Sequence, residues 1–201
     1  MTLHPLLQRA SEGSVPGWAR VGEARCAHMA RVAALMEEWA SDWNLGQDDR
    51  ARWKAAGLLH DALRDADPVE LRPLVPPEFE DLPDALLHGP ATARILEEDG
   101  VTDRPLLLSV AYHTLGHPEL DRLGRSLYAA DFLESGRKHL SDREEGLRES
   151  MPADPRGVVL EVARARVSEM VRKGNPLRAE TVGFWNRLVG EPDARSTESA
   201  T

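Results

Sequence analysis

The sequence predicts a single all-α domain, and three observations carry that expectation. Apolar residues recur at helical spacing along most of the chain, no segment shows convincing strand alternation, and the breaks between periodic stretches fall at Gly, Asn and Pro. At 201 residues the chain is long enough to bury a real hydrophobic core, and it shows no internal repeat and no second domain. Residues 1–19 read as a flexible leader or short helix, 20–190 as the helical domain, and 191–201 as a polar, disordered tail.

The first long helix is expected from about Val21 to Trp43, with Met29, Val32, Ala33, Met36, Trp39 and Trp43 on one stripe. Asn44-Leu-Gly46 stops it. A second helix starts near Gln47 or Asp48, where acidic residues suit the positive end of the helix dipole, and carries Trp53, Ala56 and Leu59. Asp65 to Pro83 is rich in proline and acid and reads as a loop holding a short helix, Val69 to Leu74. Helices follow at about Pro83 to Glu98, Arg104 to Tyr112 and Asp121 to Glu134. Gly136 to Asp154 reads as an irregular surface connection; the last two helices, about Pro155 to Lys173 and Arg178 to Leu188, flank Gly174-Asn-Pro176.

Bulk properties exclude several classes. No stretch approaches the roughly 20 apolar residues of a membrane span. The N-terminus lacks a basic-then-apolar signal pattern, and the lone Cys26 cannot form an internal disulfide; both fit a cytoplasmic protein. A net charge of −9 argues against general nucleic-acid binding, although a local basic or metal-bearing pocket could still take phosphates.

The chemistry lies in polar residues on apolar stripes. His28 shares a face with Ala24, Val32 and Leu35; His60 extends the stripe of Trp53, Ala56 and Gly57; His88 shares its face with Ala91, Thr92 and Ile95. His113 follows Leu106 and Val110, Asp131 follows Leu127 and Tyr128, and Asp61 directly follows His60. One inward histidine is ordinarily a satisfied core residue. Four histidines and two aspartates facing inward on five successive helices are another matter, because a carboxylate among apolar groups is costly unless paired or metal-bound. Imidazole and carboxylate together suit iron, manganese, cobalt, nickel or zinc. Six such ligands, one of them bridging, suffice for two metals about 3.5–4 Å apart.

The ordered set His28, His60-Asp61, His88, His113 and Asp131 resembles the signature of the HD-domain phosphohydrolases, which implies an HD-type helical bundle with a dinuclear metal site in its core. Finer segments resemble one branch, the YqeK-type diadenosine tetraphosphate hydrolases. They are Arg25-Cys-Ala-His28, Gly57-Leu-Leu-His-Asp61, Leu86-Leu-His-Gly-Pro90, Tyr112-His-Thr-Leu-Gly116, Ala130-Asp-Phe-Leu-Glu-Ser-Gly-Arg137, and Gly174-Asn-Pro with Glu180-Thr-Val-Gly-Phe-Trp-Asn186. The resemblance spans about Arg20 to Leu188. Two departures stand out: Arg64 replaces the branch's usual Lys after the His-Asp pair, trading a point charge for a planar fork, and Ser135 replaces its usual proline.

The resemblance implies one metal held by His28, His60, Asp61 and Asp131, and a second by His88 and His113 with Asp61 bridging. It implies two divalent or mixed-valent ions, iron natively, and a hydroxide on the metals that splits diadenosine tetraphosphate into two ADP. Asp61, Arg64 and His88 take catalytic roles on that reading. Arg25, Arg64 and Arg137 would bind phosphate, because arginine pairs bidentately with its oxygens. Thr114 and Gly116 would let phosphates approach the backbone, although a helix stop also explains Gly116. His117 lies in a turn the branch does not require, His139 lies among charges, and the five tryptophans read as core. Two other readings stay open: hydrolysis of a nucleoside monophosphate, a deoxynucleoside triphosphate or a signalling nucleotide, and a regulatory module that binds without turnover. The partner in each case is a small nucleotide, and an exposed apolar helix face would make a homodimer unsurprising.

Overall fold

A computed structural model describes residues 3–136 and 141–191. Ten α-helices and three short 3-10 turns make up the fold, with no strand among the described residues. The predicted helices are present: α2 (Glu23–Asp42), α3 (Gln47–Leu59), α6 (Arg104–Tyr112), α7 (Arg122–Leu133), α9 (Pro155–Arg172) and α10 (Ala179–Gly190). A short α4 (Pro68–Leu71) opens the proline-rich segment; its cap Asp67 accepts from the Val69 N–H.

Three stretches differ from expectation. Pro5–Ser11 forms α1, which begins at a proline and packs Leu6, Leu7 and Ala10 against α3. His4, read as part of a flexible leader, caps it by accepting from the Leu6 N–H. The connection read as irregular contains α8 (Asp142–Ser150). Ser141 and Glu144 form a reciprocal capping box that satisfies two N–H groups a helix start leaves open. Trp39 and Trp43 donate their indole N–H groups to the Arg148 and Pro152 carbonyls, which clips this segment to α2. Finally, α5 (His88–Glu98) starts five residues later than expected, after a 3-10 turn at Asp84–Leu86. Pro90 then falls in its first turn, where a missing N–H breaks no helical bond.

Two close crossings position the site. A Cβ on Gly57 would lie 2.7 Å from Ala33 Cα and 2.8 Å from its nitrogen, so α2 and α3 touch backbone to backbone one turn before His60. A Cβ on Gly89 would lie 2.9 Å from the Ala111 carbonyl oxygen and 3.3 Å from His113 Cε1, so α5 and α6 meet as closely beside His88. The main core gathers side chains of α1, α2, α3, α6, α7, α9 and α10, while Leu63, Leu71, Phe79, Leu82, Leu87, Ala91 and Leu115 form a smaller one. No described helix is long and apolar enough to cross a membrane.

Candidate metal centre

Five elements deliver six buried polar residues to one place. His28 comes from α2, the adjacent His60 and Asp61 from the end of α3, His88 from the start of α5, His113 from the end of α6 and Asp131 from α7. His60 is fully buried and none of the six is more than 9% exposed.

Asp61 divides its two oxygens between two pairs of histidines. Its Oδ2 lies 3.6 Å from the Nε2 atoms of both His28 and His60, while its Oδ1 lies 3.1 Å from His88 Nε2 and 3.4 Å from His113 Nε2. Asp131 Oδ1 joins the first group, 3.3 Å from His28 Nε2 and 3.9 Å from His60 Nε2. The donor atoms of His28, His60 and Asp131 all lie within 4.8 Å of one another, as do those of His60, Asp61 and His113.

Ring orientation explains why these nitrogens face inward. The Nδ1 atoms of His60, His88 and His113 each meet a backbone carbonyl three residues earlier, of Gly57, Ala85 and Val110, at 2.8, 3.1 and 2.8 Å. A carbonyl only accepts, so Nδ1 carries the proton and Nε2 presents a lone pair. His88 Nε2 and His113 Nε2 then face each other at 3.2 Å with Asp61 Oδ1 beside them, three acceptors around one point. His28 Nε2 and His60 Nε2 are buried without a hydrogen-bond partner. Converging lone pairs in a buried place repel unless a cation lies between them, so the donor set fits metal ions.

Residues 25–136, more than half of the chain, match the HD domain family. The chain belongs to that family. It is 26% identical over 149 residues to a symmetrical bis(5'-nucleosyl)-tetraphosphatase of Halalkalibacterium halodurans, covering 71% of this chain and 79% of that one. It is 30% identical over 125 residues to the Staphylococcus aureus protein of the same name, covering 59% and 62%. The Bacillus subtilis protein of that name is 24% identical over 147 residues, covering 70% and 78%. In fold it resembles a Clostridium acetobutylicum protein described as a predicted HD superfamily hydrolase involved in NAD metabolism. The TM-score is 0.73 at 24% identity, over 90% of this chain and 95% of that one.

This HD hydrolase therefore keeps buried histidines and aspartates able to hold metal, and their surroundings tune them. Burial lowers the His60 pKa to about 4, and burial is also the main cause of the lowered His88 value, with the Arg64 charge adding to it. Both rings are thus uncharged at neutral pH. Burial acts against ionised Asp61 and Asp131, yet the positive charge that the facing imidazoles carry when protonated, joined by Arg166 at Asp131, outweighs it and holds both well below the carboxylate range. Burial also opposes charge on His28, but Asp131 and Glu134 outweigh it and raise its pKa.

The expected phosphate contacts divide. Arg25 Nη1 donates to Asp61 Oδ2 at 2.7 Å, at the mouth of a cleft of about 480 Å³ that Gly22, His28, Asp65, Asp131 and Glu134 also line. Arg64 is half-buried near His88, and among the described residues its guanidinium has no ion pair. Thr114 is half-buried and its carbonyl accepts from Arg166. Gly116 is buried at φ +74, its N–H bonds the Tyr112 carbonyl, and Phe184 covers the place a Cβ would take. A helix stop pressed on an aromatic ring accounts for it. Arg137 and His139 lie outside the described residues. His117 stacks on Tyr112, with ring centroids 4.5 Å apart.

Two residues escaped the sequence reading as site residues. Glu134 is 3% exposed; its Oε1 lies 3.3 Å from His28 Nδ1, while Oε2 accepts from Arg31 and from the Gly136 N–H. His28 is thus backed by a carboxylate where the other three histidines are backed by carbonyls. Glu134 lies three residues beyond Asp131, and that shared helical face was its available signal. Arg166 pairs with Asp131; it follows Val159, Val162 and Ala163 at helical spacing, an arginine on an inward stripe.

Proposed function

We propose that this HD hydrolase cleaves dinucleoside tetraphosphates symmetrically, turning diadenosine tetraphosphate into two ADP. The observation that carries the reading is Asp61, whose two oxygens face two separate histidine pairs, the arrangement a bridging carboxylate needs. The substrate follows the three similar proteins named as symmetrical tetraphosphatases. His28, His60, Asp61 Oδ2 and Asp131 Oδ1 would hold one ion, and His88, His113 and Asp61 Oδ1 the other. Two such ions supply Lewis acidity, both to make a water nucleophilic at neutral pH and to offset charge on phosphate oxygens. We assign iron as the native metal, with manganese, cobalt, nickel and zinc also suited to these ligands.

The chain's own residues do the rest. The carbonyls of Gly57, Ala85 and Val110 hold three imidazoles in the tautomer that offers Nε2, and Glu134 holds the fourth. Arg25, which pairs with Asp61, and Arg64, whose charge is felt at His88, carry guanidinium groups suited to bidentate phosphate contacts.

A nucleotide panel with chromatographic product analysis tests the reading. ADP as the sole product from diadenosine tetraphosphate, with little turnover of nucleoside monophosphates, deoxynucleoside triphosphates or signalling nucleotides, supports it. Faster turnover of one of those classes, or unequal products, would replace the substrate assignment. His60→Ala and Asp61→Ala should lose metal and hydrolysis together while far-UV circular dichroism stays helical. Full activity in either would refute these residues as ligands.

A further inference from the structure

Arg166 stands on α9, outside residues 25–136 that carry the family match, and its side chain is only 13% exposed. Its Nη2 donates to Asp131 Oδ2 at 2.8 Å and to the Tyr128 carbonyl at 3.2 Å; its Nη1 donates to the Thr114 carbonyl at 3.3 Å. The guanidinium carbon lies 4.5 Å from the Tyr128 ring centroid and 5.5 Å from that of Phe132. Tyr128 is itself pinned edge-on against Phe184 of α10, at 5.1 Å. Both aromatic packing and three acceptors therefore fix the plane of this group.

That geometry reaches both halves of the centre. Asp131 belongs with His28 and His60, whereas Thr114 directly follows His113, which faces Asp61 Oδ1 with His88. We propose that Arg166 is a positioning residue for the metal centre. It engages Asp131 Oδ2 so that Oδ1 alone is presented to the ion shared with His28 and His60. Through the Thr114 carbonyl it also keeps His113 in register with the second ion. A carboxylate can offer a metal one oxygen or two, and a guanidinium on one of them settles the choice. Lysine cannot replace it, because one ammonium does not span Asp131 and Thr114 in a fixed plane.

This inference rests on the reading of the centre as a cation site, and a Co²⁺ titration of the metal-free full chain separates the two. Binding and the visible d–d absorption both report on ligand number without requiring turnover. Wild-type protein should take up Co²⁺. Arg166→Met should bind it roughly 10–100-fold more weakly, with altered band intensities as Asp131 Oδ2 loses its contact with Arg166. Arg166→Lys should recover part of the affinity without the wild-type spectrum. If Arg166→Met does not fold, as read by circular dichroism, Arg166→Lys decides on the same criteria. Wild-type affinity and spectrum in the folded variants, even with a lowered Tm, would overturn the role given to Arg166. Failure of the wild type to bind Co²⁺ would overturn the cation reading and this inference with it.

Discussion

Gly57→Ala places a methyl group where α2 and α3 meet. The new Cβ would lie 2.7 Å from Ala33 Cα, 2.8 Å from its nitrogen and 3.1 Å from the Val32 carbonyl carbon. Ordinary contact between such atoms is about 3.5–4.0 Å, and all three are backbone, so no side chain can swing aside. The helices must part by about 1 Å. Overpacking of this kind costs about 1–3 kcal/mol, against which alanine regains about 1 kcal/mol of helix propensity. A net loss of up to about 2 kcal/mol lowers Tm by up to roughly 4–8 °C in a chain of this size.

The effect on the centre should be larger, because the same displacement separates His28 on α2 from His60 and Asp61 at the end of α3. A misplacement of about 1 Å among reacting groups can cost about 100-fold. Thermal unfolding followed by circular dichroism, metal titration and a hydrolysis assay on one preparation would measure all three. Gly146→Ala is the matched control: it lies in α8 with nothing within 4 Å of the added Cβ. It should stabilise by roughly 0.5–1 kcal/mol and leave metal binding alone. Wild-type Tm and metal affinity in Gly57→Ala would refute the reasoning that this contact sets the spacing of the ligands.

Other substitutions probe the layer around the centre and the scaffold. Glu134→Gln keeps an acceptor near His28 Nδ1 but removes its charge and that opposite Arg31. Metal affinity should fall roughly 10–100-fold, measured by titration, with Tm changed far less; unchanged affinity would remove Glu134 from the centre. Asp103 caps α6 and binds Arg52 of α3 through both oxygens. Burial raises its pKa, but Arg52 and the Leu106 N–H outweigh that and leave it below the usual 3.8. Its contribution is therefore complete above about pH 4 and fades as pH falls through the lower folded value. Asp103→Asn should cost about 1–2 kcal/mol at neutral pH and flatten the acid-side loss of Tm below about pH 4. An acid limb identical to the wild type would contradict the pairing.

Much of the helical framework was legible because long amphipathic segments carry their period openly. Trp39 and Val32 on one stripe announce α2, and Pro155 announces the start of α9. The capping box of Ser141 and Glu144 was equally present in the sequence, but α8 carries too few apolar residues for periodicity to show it. For α1 the signal was three buried residues in a seven-residue helix, too short to be told from a loop until α3 supplies the surface they cover.

Local spacing determines which face of a helix a residue occupies, and polar groups on apolar faces are costly enough to be noticed. That is why His28, His60, Asp61, His88, His113 and Asp131 could be picked out from the sequence alone. Spacing says nothing about which helix that face will meet, because docking is decided by backbone approach at places such as Gly57 and Gly89. The division of Asp61's oxygens, the backing of His28 by Glu134 across 106 positions of numbering from its own residue to the end of α7, and the reach of Arg166 to Asp131 were all set by tertiary packing. Each depends on atoms brought together through three dimensions, where chain order carries no distance.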